Sequence, residues 1–384
     1  MTAKDLISPA FLQHLMQDRF PGESIEVESV KPLALDNSSS ILTALTAGQS
    51  EQLMGHFGLE ISYSRNGQIH RRNMALKVKP HAREILGMIQ GLSNFCGETL
   101  ASAFQTYGHR SGFQFTHERE LEIYGTYRPG NGPEIFGVQA MEDEGIYLIL
   151  MEHLGQANLL HSVMEPEAWS GTPTRIQLDG MAQWHARFLQ EGGQTLPNWP
   201  DQPSLAYMLE MKPFWEALAE NAFRHHPGML PPERQALWLS CIDSLATDWG
   251  LLDSLPKTVI HNDFNPRNAC IRHGKLACAY DWELACVHVP QYDVVEFLAF
   301  SLTGPSADAV PWVNHFRRTL HALTGKFADE ALFWEGFRAA TRHFLIHRLG
   351  MYLIAHTASP YPYLDRVMSQ TFALLEGSRV PSRG

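Results

Sequence analysis

Alternating apolar and polar positions predict short strands in the N-terminal part of the chain. A polar cluster at 36–40 (Asp-Asn-Ser-Ser-Ser) separates the first two of them, and Asn66-Gly67 is a dipeptide typical of a two-residue hairpin. Helical spacing of apolar residues indicates helices at 82–106 and 116–124. The expected strands cover residues 24–33, 41–47, 59–63, 74–78 and 145–151.

The rest of the chain has mainly helical spacing, interrupted by Pro and Gly. An exception is 257–300, where short apolar runs flank polar clusters and predict small strands that present loops. The pattern predicts an α+β protein with a β-rich N-terminal lobe, 1–151, that contains a helical insert at about 82–106, and a mainly helical C-terminal lobe, 152–384. The expected helices cover residues 174–190, 203–222, 231–248, 309–323 and 329–357.

Composition and charge restrict the function classes. The 384 residues are 44% hydrophobic, which suits a globular protein with a large core. The net charge is −11 and there is no dense Lys/Arg run, so nucleic acid is not an expected partner. Apolar runs stay shorter than the roughly 20 residues of a membrane span, and the N-terminus lacks a signal-peptide core. We therefore expect a cytoplasmic protein without a membrane partner, whose five cysteines are buried thiols. Its oligomeric state stays open.

The most informative polar motif is 261–268 (His-Asn-Asp-Phe-Asn-Pro-Arg-Asn), followed by Asp281 in the sequence Asp-Trp-Glu. Phosphoryl transfer depends on positioning and on neutralising phosphate charge. Asp263 is placed to accept the proton of an attacking hydroxyl, and Asn268 and Asp281 offer the oxygen ligands that Mg²⁺ prefers. Apolar flanking runs place both loops at rigid strand ends.

These residues resemble the catalytic loop and metal-binding segment of the aminoglycoside phosphotransferase and choline kinase family, distant relatives of protein kinases. The resemblance implies a two-lobed protein-kinase-like fold, ATP and Mg²⁺ as cofactors, and a small-molecule hydroxyl acceptor. By the same resemblance Asp263 is the catalytic base, Asn268 and Asp281 hold metal, and His261 braces the loop. Asp293, in Gln-Tyr-Asp, is similar to a structural aspartate of the family.

A kinase site also needs a cation for the α- and β-phosphates, and Lys77 on an apolar strand resembles the lysine of a Val-Ala-Ile-Lys segment. Lys79, two residues on, is its rival. The helix at 116–124 offers Glu118, Glu120 and Glu122 as ion-pair partners, and Glu120 is preferred because it lies four residues before an aromatic residue.

The nucleotide loop matches the family less well. Ser38, Ser39 and Ser40 are placed to cradle phosphates, but the loop has no glycine and also suits a plain turn. Glu152 and Leu154 resemble the linker between lobes, whose backbone would bond adenine.

The sequence therefore predicts an ATP-dependent small-molecule kinase whose acceptor is an amino alcohol, an aminoglycoside, a sugar or another natural product. No Ala-Pro-Glu segment follows Asp281, which argues against a protein kinase. Two alternatives stay open: a catalytically silent nucleotide-binding scaffold of the same fold, and a metal-dependent hydrolase that uses His261 and Asp263.

Overall fold

The computed structural model describes residues 3–34, 55–304 and 308–377. The expected strand at 41–47 and the three loop serines, Ser38 to Ser40, lie outside the described residues. The chain divides into two compact units, and each is described separately. The first unit is Met1–Ile85 with Phe115–Gln156, and the second is Leu86–Gln114 with Ala157–Gly384. The boundary expected at 151/152 stays a prediction.

The longer strands lie in the N-terminal part of the chain and the part after residue 152 is mainly helical, which is the α+β class that the hydrophobic pattern predicts. The helices are α1 (Ala3–Leu6), α2 (Pro9–Arg19), α3 (Ala82–Cys96), α4 (Glu98–Tyr107), α5 (Thr116–Glu122), α6 (Thr172–Leu189), α7 (Leu205–Glu210), α8 (Lys212–His225), α9 (Pro232–Asp243), α10 (Leu245–Ser254), α11 (Gln291–Ser301), α12 (Ala309–Thr324), α13 (Glu330–Phe344), α14 (Gly350–Ala358) and α15 (Leu364–Gly377). The strands are β1 (Ile25–Leu33), β2 (Gly55–Arg65), β3 (Gln68–Lys79), β4 (Ile135–Met141), β5 (Ile146–Glu152), β6 (Thr258–Ile260), β7 (Ala269–Arg272), β8 (Leu276–Ala279) and β9 (Cys286–His288).

The first unit is built on an antiparallel sheet whose described strands lie in the order β1-β2-β3-β5-β4. The β2–β3 hairpin closes where Arg65 pairs with Gln68, as predicted. Asn66 and Gly67 have φ values of 52° and 81°. Two positive φ values define a type I′ turn, whose twist matches that of the flanking strands and fixes the β2–β3 register. That register sets the position of Lys77 on β3, opposite Ile149 on β5.

Helix α2 and strand β4 were not expected from the sequence. The Ser8 hydroxyl caps α2 by accepting from the amide of Phe11 (3.3 Å), and Pro9 occupies the first turn. Leu12, Leu15 and Met16 of α2 join the buried face of the sheet. Burying this face of α2 against the sheet stabilises a helix too short to persist alone in water.

The second unit is mainly helical and carries the paired strands β6–β9 and β7–β8. Helix α11 is buried on every side, because each residue of Gln291–Ser301 is buried. An all-round buried helix is a rigid core element. It brings two acidic side chains, Asp293 and Glu296, into the interior beside the loop that follows β6.

Between α13 and α14 the chain forms a π-helical segment, Leu345–Leu349. Residues 329–357 are mainly helical, as predicted, but the π-helical segment within them was not predicted. A π segment accommodates one more residue than an α-helical turn and changes the direction of the side chains that follow. Arg348 lies within this segment and Tyr352 lies in the next turn.

Candidate functional site

The β7–β8 hairpin places two of the predicted metal ligands at one end of a rigid element. Ala269 pairs with Ala279, and the amide of Tyr280 donates to the carbonyl of Asn268 at 3.0 Å. Asn268 and Asp281 therefore leave the hairpin side by side. Asp281 has a left-handed backbone conformation, with φ of 65°. Such a conformation is costly for a residue other than glycine and is typical of functional positions.

Asp263, the predicted base, lies in the loop after β6 and is 8% exposed. Its Oδ2 accepts a hydrogen bond from the Asn268 side-chain amide at 2.6 Å. Its Oδ1 accepts from Arg348 Nη2 at 2.8 Å, from the Tyr352 hydroxyl at 2.6 Å and from Arg267 Nη2 at 3.0 Å. These donors surround the carboxylate with two guanidinium groups and a phenol.

The two arginines govern the charge of Asp263. Burial alone would raise the pKa of this carboxyl group, but the positive charges of Arg267 and Arg348 hold its pKa well below the usual value. Asp263 is therefore ionised at neutral pH, as a proton acceptor must be. Tyr352 and, secondly, the Asp263 carboxylate hold the pKa of both arginines above the usual value, against the effect of their burial.

Asp293 of α11 braces the backbone of the loop. Its Oδ2 accepts from the amide of His261 at 2.9 Å and its Oδ1 accepts from the amide of Asn262 at 3.0 Å. His185 Nε2 lies 3.0 Å from the same Oδ2. His261 Nε2 lies 2.9 Å from the carbonyl oxygen of Tyr280 and joins the loop to the residue before Asp281. The two polar loops are thus tied together by buried hydrogen bonds.

Glu296, one turn after Asp293, approaches the loop through Asn265. The Asn265 amide donates to Asp263 Oδ1 at 3.0 Å and to Glu296 Oε1 at 3.1 Å. Burial and, secondly, the charge of Asp263 raise the pKa of Glu296 to about 8. Glu296 is therefore mainly protonated at neutral pH, and it does not neutralise the arginines.

In the first unit, Lys77 and Lys79 of β3 both bind Glu120 of α5. Lys77 Nζ lies 2.9 and 2.8 Å from the two carboxylate oxygens of Glu120. Lys79 Nζ contacts Glu120 Oε2. The Lys77 side chain is 10% exposed, whereas that of Lys79 is inaccessible. The other candidate partners, Glu118 and Glu122, are exposed and half-buried respectively.

Glu152 and Leu154, the predicted linker residues, lie at the end of β5. The amide of Glu152 donates to the carbonyl of Glu134 at 2.8 Å, and the Glu152 carboxylate accepts from the Glu134 amide at 3.1 Å. Leu154 follows β5 and is half-buried. The structure thus places both residues at a strand end without assigning them a ligand.

Sequence reasoning missed three residues of the second unit: Arg267, Arg348 and Tyr352. Arg267 lies within the 261–268 motif, four residues after Asp263. A positive charge at that spacing could have indicated a partner for the Asp263 carboxylate. Arg348 and Tyr352 are 85 and 89 residues away from Asp263 in sequence. An Arg and a Tyr four residues apart on a helix have no distinctive pattern.

A sequence model described as the phosphotransferase enzyme family (APH) matches residues 118–328, more than half of the chain. The chain belongs to this family. The resemblance inferred from the catalytic motif is confirmed, and so is the protein-kinase-like α+β fold. The family supports a small-molecule phosphotransferase.

Three solved structures illustrate the likeness. Choline kinase LicA from Streptococcus pneumoniae is 12% identical, with 96% of this chain and 98% of that chain covered and a TM-score of 0.46. Plasmodium vivax ethanolamine kinase is 12% identical, with 97% and 88% covered and a TM-score of 0.48. The aminoglycoside phosphotransferase APH(4)-Ia, as a thermostable mutant in complex with AMP-PNP and hygromycin B, is 14% identical, with 94% and 98% covered and a TM-score of 0.43.

Among curated proteins, no sequence matches the chain significantly. Among the described residues, no helix combines the length and the apolar character needed to cross a bilayer.

Proposed function

We propose that this protein transfers the γ-phosphoryl group of ATP to a hydroxyl group of a small molecule, in the cytoplasm. The supporting observation is the arrangement of Asp263, Asn268 and Asp281 on two loops joined by buried hydrogen bonds. Rigid support of this kind suits a reaction in which positioning supplies most of the catalysis. A catalytically silent nucleotide-binding scaffold would not need all three side chains, so a phosphotransferase is the better interpretation of this arrangement.

Asp263 would orient the acceptor hydroxyl and take its proton as the oxygen attacks the γ-phosphorus and the bond to ADP breaks. The Asn268 amide group donates to Asp263, so its oxygen is directed toward another partner. That oxygen and the Asp281 carboxylate are hard ligands suited to Mg²⁺. When bound, Mg²⁺ supplies positive charge to the phosphates.

In the first unit, Lys77 would bind the α- and β-phosphates while Glu120 fixes its ammonium group. Lys79 remains the rival for this role. The predicted contributions of Ser38, Ser39 and Ser40 to phosphate binding, and of the Glu152 and Leu154 backbone to adenine binding, stay part of the proposal.

The test is ADP release from Mg²⁺-ATP in the presence of a panel of hydroxyl compounds that spans amino alcohols, aminoglycosides, sugars and hydroxy acids.

Asp263→Ala should lower turnover about 10²- to 10⁴-fold, because general-base assistance is lost, and should retain AMP-PNP binding. Asp263→Asn, which keeps the side-chain shape, guards against a folding defect. Asp243→Ala is the control, since that exposed carboxylate is elsewhere in the second unit. An unchanged rate in both Asp263 variants contradicts the base assignment.

A further inference from the structure

The charges around Asp263 do not balance. Arg267 and Arg348 both place Nη2 within hydrogen-bond distance of the same carboxylate oxygen, Oδ1. Each guanidinium carbon lies 5.1 Å from the centre of the Tyr352 ring, so the two cations sit against one aromatic group. Two positive charges therefore share one negative charge in a buried place, where unpaired charge is costly.

Glu296, a neighbouring buried acid, does not neutralise the excess positive charge of Arg267 and Arg348. Glu296 is the other carboxyl group whose field acts on both arginines. Its Oε2 is buried without a hydrogen-bond partner among the described residues, and its pKa is raised to about 8. The pair of arginines thus keeps about one uncompensated positive charge near neutral pH.

Arg348 also has an unused donor. Its Nε is buried and has no hydrogen-bond partner among the described residues, and the whole residue is 5% exposed. A guanidinium group binds carboxylate or phosphate through paired N–H donors, and two such groups side by side form a recognition site for an anion. The unsatisfied donor and the excess charge make this cluster complementary to an anionic group.

We propose that Arg267 and Arg348 bind an anionic group of the phosphoryl acceptor, so that the acceptor is a hydroxyl compound carrying a carboxylate or phosphate near its reactive hydroxyl. This inference rests on the proposed kinase function and narrows its substrate class. Amino alcohols and aminoglycosides are disfavoured, because their cationic groups would face two guanidinium groups.

The anion has a second role, which follows from the saturated carboxylate. Oδ1 of Asp263 already accepts from Asn265, Arg267, Arg348 and Tyr352. A carboxylate oxygen has about two lone pairs, so an acceptor hydroxyl must replace a donor. An acceptor anion that draws the guanidinium groups away frees Oδ1 for the acceptor hydroxyl.

Ligand-induced thermal shifts test the subsite without turnover. Glycerate and inorganic phosphate are the anionic probes, glycerol is the neutral probe and ethanolamine the cationic one, each measured at several concentrations to give a Kd. The anions should raise the Tm of the wild-type protein, whereas glycerol and ethanolamine should not. Stabilisation by ethanolamine alone, or no stabilisation by either anion, overturns the proposal.

Variants locate the binding. Arg348→Gln and Arg267→Gln should each weaken the Kd of the anions about 10- to 100-fold, as expected for a lost charge-assisted hydrogen bond. Arg267 lies on the loop, so its variant remains informative if Arg348→Gln folds poorly. Arg342→Gln is the matched control, because Arg342 lies on α13, one element before the segment that carries Arg348, and pairs with Asp248 of α10 instead of Asp263. An equal loss in the control overturns the assignment.

Two further arms separate this inference from its alternatives. If the arginines serve the γ-phosphate instead, Mg²⁺-AMP-PNP abolishes the glycerate shift and Arg348→Gln weakens AMP-PNP binding; that result overturns the acceptor subsite. ADP release then separates the two proposals. Anion binding without phosphoryl transfer to any hydroxyl compound retains the subsite and removes the kinase function. Transfer to ethanolamine in preference to glycerate retains the kinase and removes the subsite.

Discussion

At the residue scale, the environment of Asp263 determines both its charge and its access to a substrate. A carboxylate that accepts from two guanidinium groups, a phenol and two amides is ionised but weakly basic. Its environment therefore ensures the correct charge while it blocks the lone pairs that a substrate would use. In the proposed reaction Asp263 must exchange one of the donors at Oδ1, which are Asn265, Arg267, Arg348 and Tyr352.

The two lysines that share Glu120 should differ in function. Because the Lys77 side chain retains 10% exposure and that of Lys79 has none, we expect a phosphate to reach Lys77. Lys77→Met should lower kcat/KM for ATP about 100-fold, as expected for a lost charged contact, with a small change in Tm. Lys79→Met should lower Tm more than it lowers kcat/KM.

Steady-state kinetics at varied ATP and thermal unfolding of both variants make this comparison. If Lys79→Met loses the ATP-dependent rate while Lys77→Met keeps it, the roles are reversed.

The limits of sequence reasoning are clearest for single residues. Asp263, Asn268 and Asp281 could be selected because their spacing is fixed by one loop and one hairpin. Arg348 and Tyr352 could not, because their approach to Asp263 depends on how a distant helix packs. Local patterns identify residues that local geometry brings together, and contacts across 85 residues require the tertiary structure.

At the scale of elements, α11 supports the loop that follows β6 through Asp293. Asp293→Ala would leave the amides of His261 and Asn262 and the ring of His185 without their buried acceptor. We expect a loss of about 3–5 kcal/mol in the free energy of unfolding, because several buried donors lose one charged partner.

Urea denaturation measures this loss, with Asp243→Ala as an exposed control that should change stability by less than about 0.5 kcal/mol. A loss below about 1 kcal/mol for Asp293→Ala would show that the loop is supported in another way.

Most elements could be predicted from periodicity, and the misses have physical reasons. The short strands β6, β7 and β8 were expected because apolar runs flank polar clusters. The helix predicted at 82–106 is two helices separated at Gly97, where φ is 130°. Helix α2 was missed because its stability comes from packing on the sheet.

At the scale of the whole molecule, buried histidines and the buried Glu296 make the free energy of unfolding depend on pH in opposite directions. Burial lowers the pKa of His288 and His343 well below the usual value and lowers that of His347 to about 4. Below pH 6.5 the unfolded chain takes up protons at these positions and the native protein does not, so stability falls as the pH falls. Glu296 acts in the other direction. Its native pKa of about 8 means that its contribution to stability is lost as the pH rises from 4.5 through 8.

Thermal unfolding from pH 7.5 to 8.5 should show a falling Tm for the wild-type protein. In this window the histidines are mainly neutral in both states, so their effect is small. Glu296→Gln, which retains the shape of the protonated acid, should flatten the decline. Equal slopes for the two proteins would assign the pH dependence to other groups.

The π-helical segment Leu345–Leu349 constrains how this part of the molecule can diverge. Deleting one residue there would convert the wide turn into an ordinary helical turn and displace Arg348, which lies inside the segment, relative to the helices on either side. Arg348 would then lose its contacts with Asp263 and with the Tyr352 ring. Descendants of this protein that keep the same chemistry should therefore accumulate replacements at 345–349 and preserve the length of the segment.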